Sequence, residues 1–104
     1  MVKIIWTEPA LDDIRSIMEF IAQDSVYYAD ATARGILNAP RRIKNFPLSG
    51  RIVPEFCDAS IREVIYGSYR VIYKTITSKC FVVAVVHASR DIIRHLTPAE
   101  WNDL

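Results

Sequence analysis

Apolar residues at Leu11, Ile14, Ile17, Met18 and Ile21 recur at spacings of three and four. That spacing predicts one stripe of an amphipathic helix. Ahead of it, residues 2–6 form a short apolar run and a first strand. Thr7 fits the N-cap, with Glu8 and Pro9 in a first turn that suits both. Asp12, Asp13 and Glu19 fall off the stripe and read as a solvated face. A second helix starts near Asp24 or Ser25, with Tyr28, Ala31, Ala39, Ile43 and Phe46 on its stripe and Ile36 beside it. Pro40 interrupts that pattern, so a kink or break is expected between residues 36 and 39. Phe46-Pro47-Leu48-Ser49-Gly50 ends the helix and turns the chain. With almost no loop between them, the two helices should form an antiparallel hairpin.

The second half changes period. Residues 51–58 look irregular, with Pro54 against a central strand. Gly67-Ser68 suits a two-residue hairpin loop between two strand-like runs. That loop sets Tyr66 opposite Tyr69, Ile65 opposite Arg70, Glu63 opposite Ile72 and Ile61 opposite Lys74. Alternation then puts Ile61, Glu63, Ile65, Arg70, Ile72 and Lys74 on one face. Arg62, Val64, Tyr66, Tyr69, Val71 and Tyr73 share the other. Residues 81–86 are apolar on both sides, as in a central strand covered on both faces. The helices should cover one face, and something else part of the other. Thr97-Pro98-Ala99-Glu100 reads as a capping box opening a short terminal helix that carries Trp101.

These elements predict an α+β fold: an N-terminal strand, an antiparallel helical hairpin and a mostly antiparallel sheet completed by three C-terminal strands, then a short C-terminal helix. The 104 residues make a single domain, 1–104. An apolar content of 51% lies slightly above that of ordinary domains and leaves two readings, a β-rich core or a surface patch for a partner. Residues 80–86 are far shorter than the roughly 20 a membrane span needs. Glu8 comes too early for a secretory signal. Cys57 and Cys80 lack metal-type spacing, so reduced thiols in a cytoplasmic protein are the expectation, with no metal and no cofactor. The net charge of +1 hides banding: Arg34, Arg41, Arg42, Lys44 and Arg51 stand together with no acid among residues 34–51. That is too little for a dedicated nucleic-acid binder but enough for a local basic face.

Candidate chemistry gathers in the last three strands, where Arg70 lies mid-strand and His87 and Arg90 stand where the final strand runs out. Arg70 suits phosphate, an acidic target or an antitoxin carboxylate, or else an ion pair with Glu63 on the same face. His87 suits a general base or a hydrogen-bonded strand-end histidine.

Several motifs together carry a resemblance. They are Pro47-Leu48-Ser49-Gly50-Arg51, Ile61-Arg62-Glu63, Tyr69-Arg70-Val71-Ile72-Tyr73 and Val86-His87-Ala88-Ser89-Arg90. With the order strand, helix, helix, three strands, the chain resembles the RelE/ParE superfamily of toxins from bacterial toxin–antitoxin pairs. RelE-like members are ribonucleases that cut messenger RNA in the ribosomal A site; ParE-like members poison DNA gyrase. Arg70 and Arg90 match basic residues of the RelE-type site. Ile61 and Glu63 stand where RelE places two lysines, and Leu96 where it places a tyrosine. The Pro-x-x-Gly-Arg turn and the Ile-Arg-Glu strand look more like the ParE branch. The resemblance implies a gyrase-directed toxin bound and silenced by a cognate antitoxin as a hetero-oligomer, with a ribosome-dependent endoribonuclease as the alternative. No catalytic residue is expected on the first reading, and Arg70, His87 and Arg90 would serve on the second. Arg51, Arg62, Arg70, Arg90 and Trp101 are the expected target contacts. Ile61, Ile65, Ile72 and Arg70, or the groove beside the helical hairpin, are the expected antitoxin contacts.

Overall fold

The computed structural model describes residues 1–92 together with Leu96, Trp101 and Leu104. Strand β1 (Lys3–Trp6) leads into helix α1 (Glu8–Ala22), then helix α2 (Val26–Asn38) and a 3-10 helix (Ala39–Lys44). Four strands follow: β2 (Arg51–Ile52), β3 (Ile61–Tyr66), β4 (Tyr69–Ile76) and β5 (Lys79–His87). They form one sheet in the order β1-β5-β4-β3-β2, antiparallel except where β1 runs parallel to β5.

The local signals account for most of this. Thr7 caps α1, its hydroxyl accepting from the Ala10 amide, and Ser25 caps α2 by accepting from Tyr28. Pro40 has no N–H to continue the α ladder, and the chain tightens into the 3-10 helix after Asn38. The β3–β4 register is the one the Gly67-Ser68 loop dictates, from Tyr66 opposite Tyr69 to Ile61 opposite Lys74. Gly67 takes φ +56°, which a glycine adopts without steric cost. Residues 51–58 are not wholly irregular, because Arg51 and Ile52 pair with Glu63 and Arg62 as an edge strand.

Both faces of the sheet are covered. Ala10, Ile14, Ala33, Ile36 and Ile43 bury Val64, Val71, Tyr73, Val82 and Val85 on the helical side. On the other side Val53, Ile92 and Trp101 bury Ile61, Ile72, Val83, Ala84 and Val86, with Phe56 and Leu96 against them. A bulge after Ile72 sends Val82 to the helical face and Val83 to the other, so β5 is buried from both directions. The expected α2 stripe is out of phase: Ala29, Ala33 and Ile36 face the core, while Tyr28 and Phe46 are exposed. The capping box at residues 97–100 and the terminal helix it would open lie outside the described residues. No helix among the described residues is long and apolar enough to cross a membrane.

Candidate functional site

On β4, Arg70 pairs across to Ile65 and Val86, and its side chain points to the face away from the helices. It is 5% exposed and surrounded by apolar residues, so its charge requires partners. Its Nε donates to Glu63 Oε1 at 2.6 Å, and both terminal nitrogens donate to the Glu55 carboxylate at 2.8 Å. Arg51 closes the chain by donating to the other oxygen of Glu63. Two cations thus meet two anions, and the bidentate bonds from Arg70 hold the Glu55 carboxyl down at about 2. The same bonds push the Arg70 pKa up, against the desolvation that lowers it. Three of the five guanidinium N–H groups are thus engaged by carboxylates, and the side chain is only 6% exposed, which leaves little of it open to a phosphate.

His87 and Arg90 do not join it. His87 lies opposite Tyr69 on the helical face, one pleat over from Val86, so the sheet separates it from Arg70. The expected constellation of Arg70, His87 and Arg90 is therefore not formed, because adjacent positions on a strand point to opposite faces. The His87 ring meets Tyr69 edge to face, centroids 5.6 Å apart. Its Nδ1 accepts from the Ser89 amide at 3.2 Å and lies 2.7 Å from the Ser89 hydroxyl. The ring is thereby oriented through Nδ1 by its own strand-end turn. Ser16, Ile17, Phe20 and Arg90 complete a recess of about 300 Å³ here. Beneath it Asp13, expected on a solvated face, accepts from the Val85 amide at 2.9 Å. Burial pushes its carboxyl up, opposed by that hydrogen bond and by Arg90.

The other expected contacts are also engaged. Arg62 donates to the Ala59, Leu48 and Gly50 carbonyls. Trp101 is 7% exposed, edge to face with Phe56 at 5.9 Å, and so is a core residue rather than a free docking side chain. Ile61 and Ile72 are buried beneath Val53, Ile92 and Trp101, so the apolar face expected to await an antitoxin is already covered; only Ile65, 49% exposed, is open. The described residues include no group of three or more His, Cys, Asp or Glu placed to hold a metal ion.

Two exposed apolar surfaces were not singled out by the periodicity. Met18, Glu19, Ala22, Val26, Tyr27, Ala29 and Asp30 line a groove of about 510 Å³ where α1 ends and α2 begins. Val26 and Tyr27 are 74% and 78% exposed there. Three bulky residues in succession, Val26, Tyr27 and Tyr28, cannot share one helix stripe, which is the signal that was available. At the far end of the hairpin, Phe46 and Leu48 project from the turn 46–49.

Residues 4–92 match the family described as ParE toxin of type II toxin-antitoxin system, parDE. "Toxin RelE2" of Caulobacter vibrioides is 29% identical over 91 residues, covering 86% of this chain and 99% of the relative. Among solved structures, the chromosomal ParDE TA system from P. aeruginosa superposes with a TM-score of 0.69 at 12% identity, over 84% of this chain and 96% of that one. The RelBE2 toxin–antitoxin complex from Mycobacterium tuberculosis gives 0.53 at 13% identity, over 83% and 96%. At such identities the two structures speak for the fold alone.

Proposed function

This chain belongs to the ParE toxin family of type II toxin–antitoxin systems, and on that premise we propose that it arrests growth by engaging DNA gyrase rather than by cutting RNA. The observation that carries the choice is the burial of Arg70 against the carboxylates of Glu55 and Glu63. A ribonuclease of this fold needs free cations where charge accumulates on the phosphate. Here the central cation is paired with two carboxylates, the neighbouring strand offers Ile61 and Glu63, and His87 and Arg90 line a recess on the helical side of the sheet. The four-charge network reads instead as a fastening between β3, β4 and the loop at residues 53–58.

A cognate antitoxin is the second partner. The family and the complexes named above support one. With Ile61 and Ile72 covered, we place it on the groove at Met18, Ala22, Val26 and Tyr27, which an amphipathic segment folding on binding would fill.

Purified protein should block gyrase supercoiling or raise gyrase-dependent DNA cleavage, while transcripts in induced cells stay intact. Growth arrest with gyrase unaffected, and with message cleavage that disappears in His87→Ala or Arg90→Ala, would establish the ribonuclease instead.

A further inference from the structure

We propose that the turn 46–49 and the cations just before it form the surface this toxin presses against its target, a protein patch with an apolar recess rimmed by carboxylates. The inference rests on the toxin reading above and on the antitoxin's place at the other end of the hairpin.

Phe46 and Leu48 are 68% and 63% exposed, yet the backbone that carries them is fixed on several sides. The Tyr73 hydroxyl, fully buried, donates to the Pro47 carbonyl at 2.8 Å and accepts from the Gly50 amide at 3.1 Å. Arg62 donates to the Leu48 carbonyl at 3.1 Å and the Gly50 carbonyl at 3.0 Å. Phe46 and Ser49 complete the turn through their amides, bonded to Arg42 and Phe46 carbonyls. Gly50 is packed against the Tyr73 ring and hydroxyl so closely that a Cβ has no room. Two buried or half-buried polar side chains thus hold a turn whose apolar side chains point outward. A surface loop with no partner can be held in this way simply to satisfy a buried hydroxyl. One that binds gains from it, because the ordering entropy is already lost.

Charge indicates the partner's character. Arg41, Arg42 and Lys44 are exposed on the 3-10 helix immediately before the turn, and residues 34–51 contain no acid. Carboxylates around an apolar recess complement that arrangement. A nucleic-acid site would place cations at its centre, against phosphates, whereas here the centre is Phe46, Pro47 and Leu48. The antitoxin groove lies beyond the opposite end of α2, whose 13 residues alone span about 20 Å.

The test is Phe46→Ser/Leu48→Ser in the full chain, purified with its antitoxin. Growth arrest on antitoxin withdrawal should disappear, and target inhibition should require about 30-fold more protein, as for loss of interface hot spots. Antitoxin co-purification and the melting temperature should stay unchanged. Arg41→Glu/Arg42→Glu/Lys44→Glu, which alters exposed side chains only, should weaken target inhibition comparably and serves if the first variant does not fold. Full toxicity in both variants overturns the proposal. So does a folded variant that no longer binds antitoxin, since the turn would then be the antitoxin's. Wild-type binding to duplex DNA that is lost in the charge variant alone would make DNA the occupant and overturn it equally. Should wild-type protein leave gyrase untouched while the serine variant still abolishes arrest, the surface stands and the gyrase reading falls.

Discussion

Glu63 has no exposed side-chain surface, yet two guanidiniums reach it from β2 and β4. Its neighbour in the network, Glu55, is the member that pH can address. Held at about 2 when folded against an ordinary 4.5, the Glu55 carboxyl favours the folded state in its ionised form. Its stabilisation is complete above pH 4.5 and is lost as pH falls from there toward 2. Acid unfolding followed by circular dichroism should therefore show a destabilisation in that window that Glu55→Gln lacks in part. The pairing of Arg70 with Glu63 was legible from the hairpin register alone. Glu55 was not, because residues 51–58 carry no period to place them. Asp13 was missed for a related reason: β1 ends opposite Val82, leaving the Val85 amide on the open side of β5 in need of an acceptor. Nothing in an acid off a helix stripe announces such a need.

At the scale of elements, hairpins were easier to read than helices. Gly67-Ser68 fixed every pair between β3 and β4, since a two-residue loop leaves no freedom of register. The expected α2 stripe runs across Pro40, where the change to three residues per turn resets the phase. The bulge in β5 was invisible, because residues 81–86 are apolar on both sides of it and carry no alternation to break. Helix and hairpin meet at Gly35, where a Cβ would collide with the ring and hydroxyl of Tyr66. Helix propensity favours alanine by about 1 kcal/mol, so steric conflict and propensity oppose each other here. Gly35→Ala should lower the melting temperature in the wild-type background and raise it in a Tyr66→Ala background. Thermal melts of the four proteins should give a coupling of about 1 to 3 kcal/mol.

Over the whole molecule, the sheet divides two cores that share only their backbone. The run at residues 81–86, apolar on both sides, anticipated cover on both faces but left open what would cover the second. The cover is the chain itself, through Val53, Phe56, Ile92 and Trp101. That buries Ile61 and Ile72 within the chain, while the sheet itself separates Arg70 from His87. Trp101→Ala should cost about 3 to 5 kcal/mol. It should also raise the fluorescence of a hydrophobic dye and speed amide exchange in β3 and β4 more than in α1. Uniform exchange across both layers would show that the two cores do not open independently.

The sheet order also has a consequence in time. β1 is synthesised first, and its one strand neighbour in the described sheet, β5, is synthesised last. Until residues 79–87 leave the ribosome, the stripe of α1 has no floor and the sheet has no centre. At roughly 5 to 20 residues per second that interval lasts several seconds. A toxin-family chain built this way cannot assemble its sheet strand by strand as it is made; the fold waits for β5 and then closes around it.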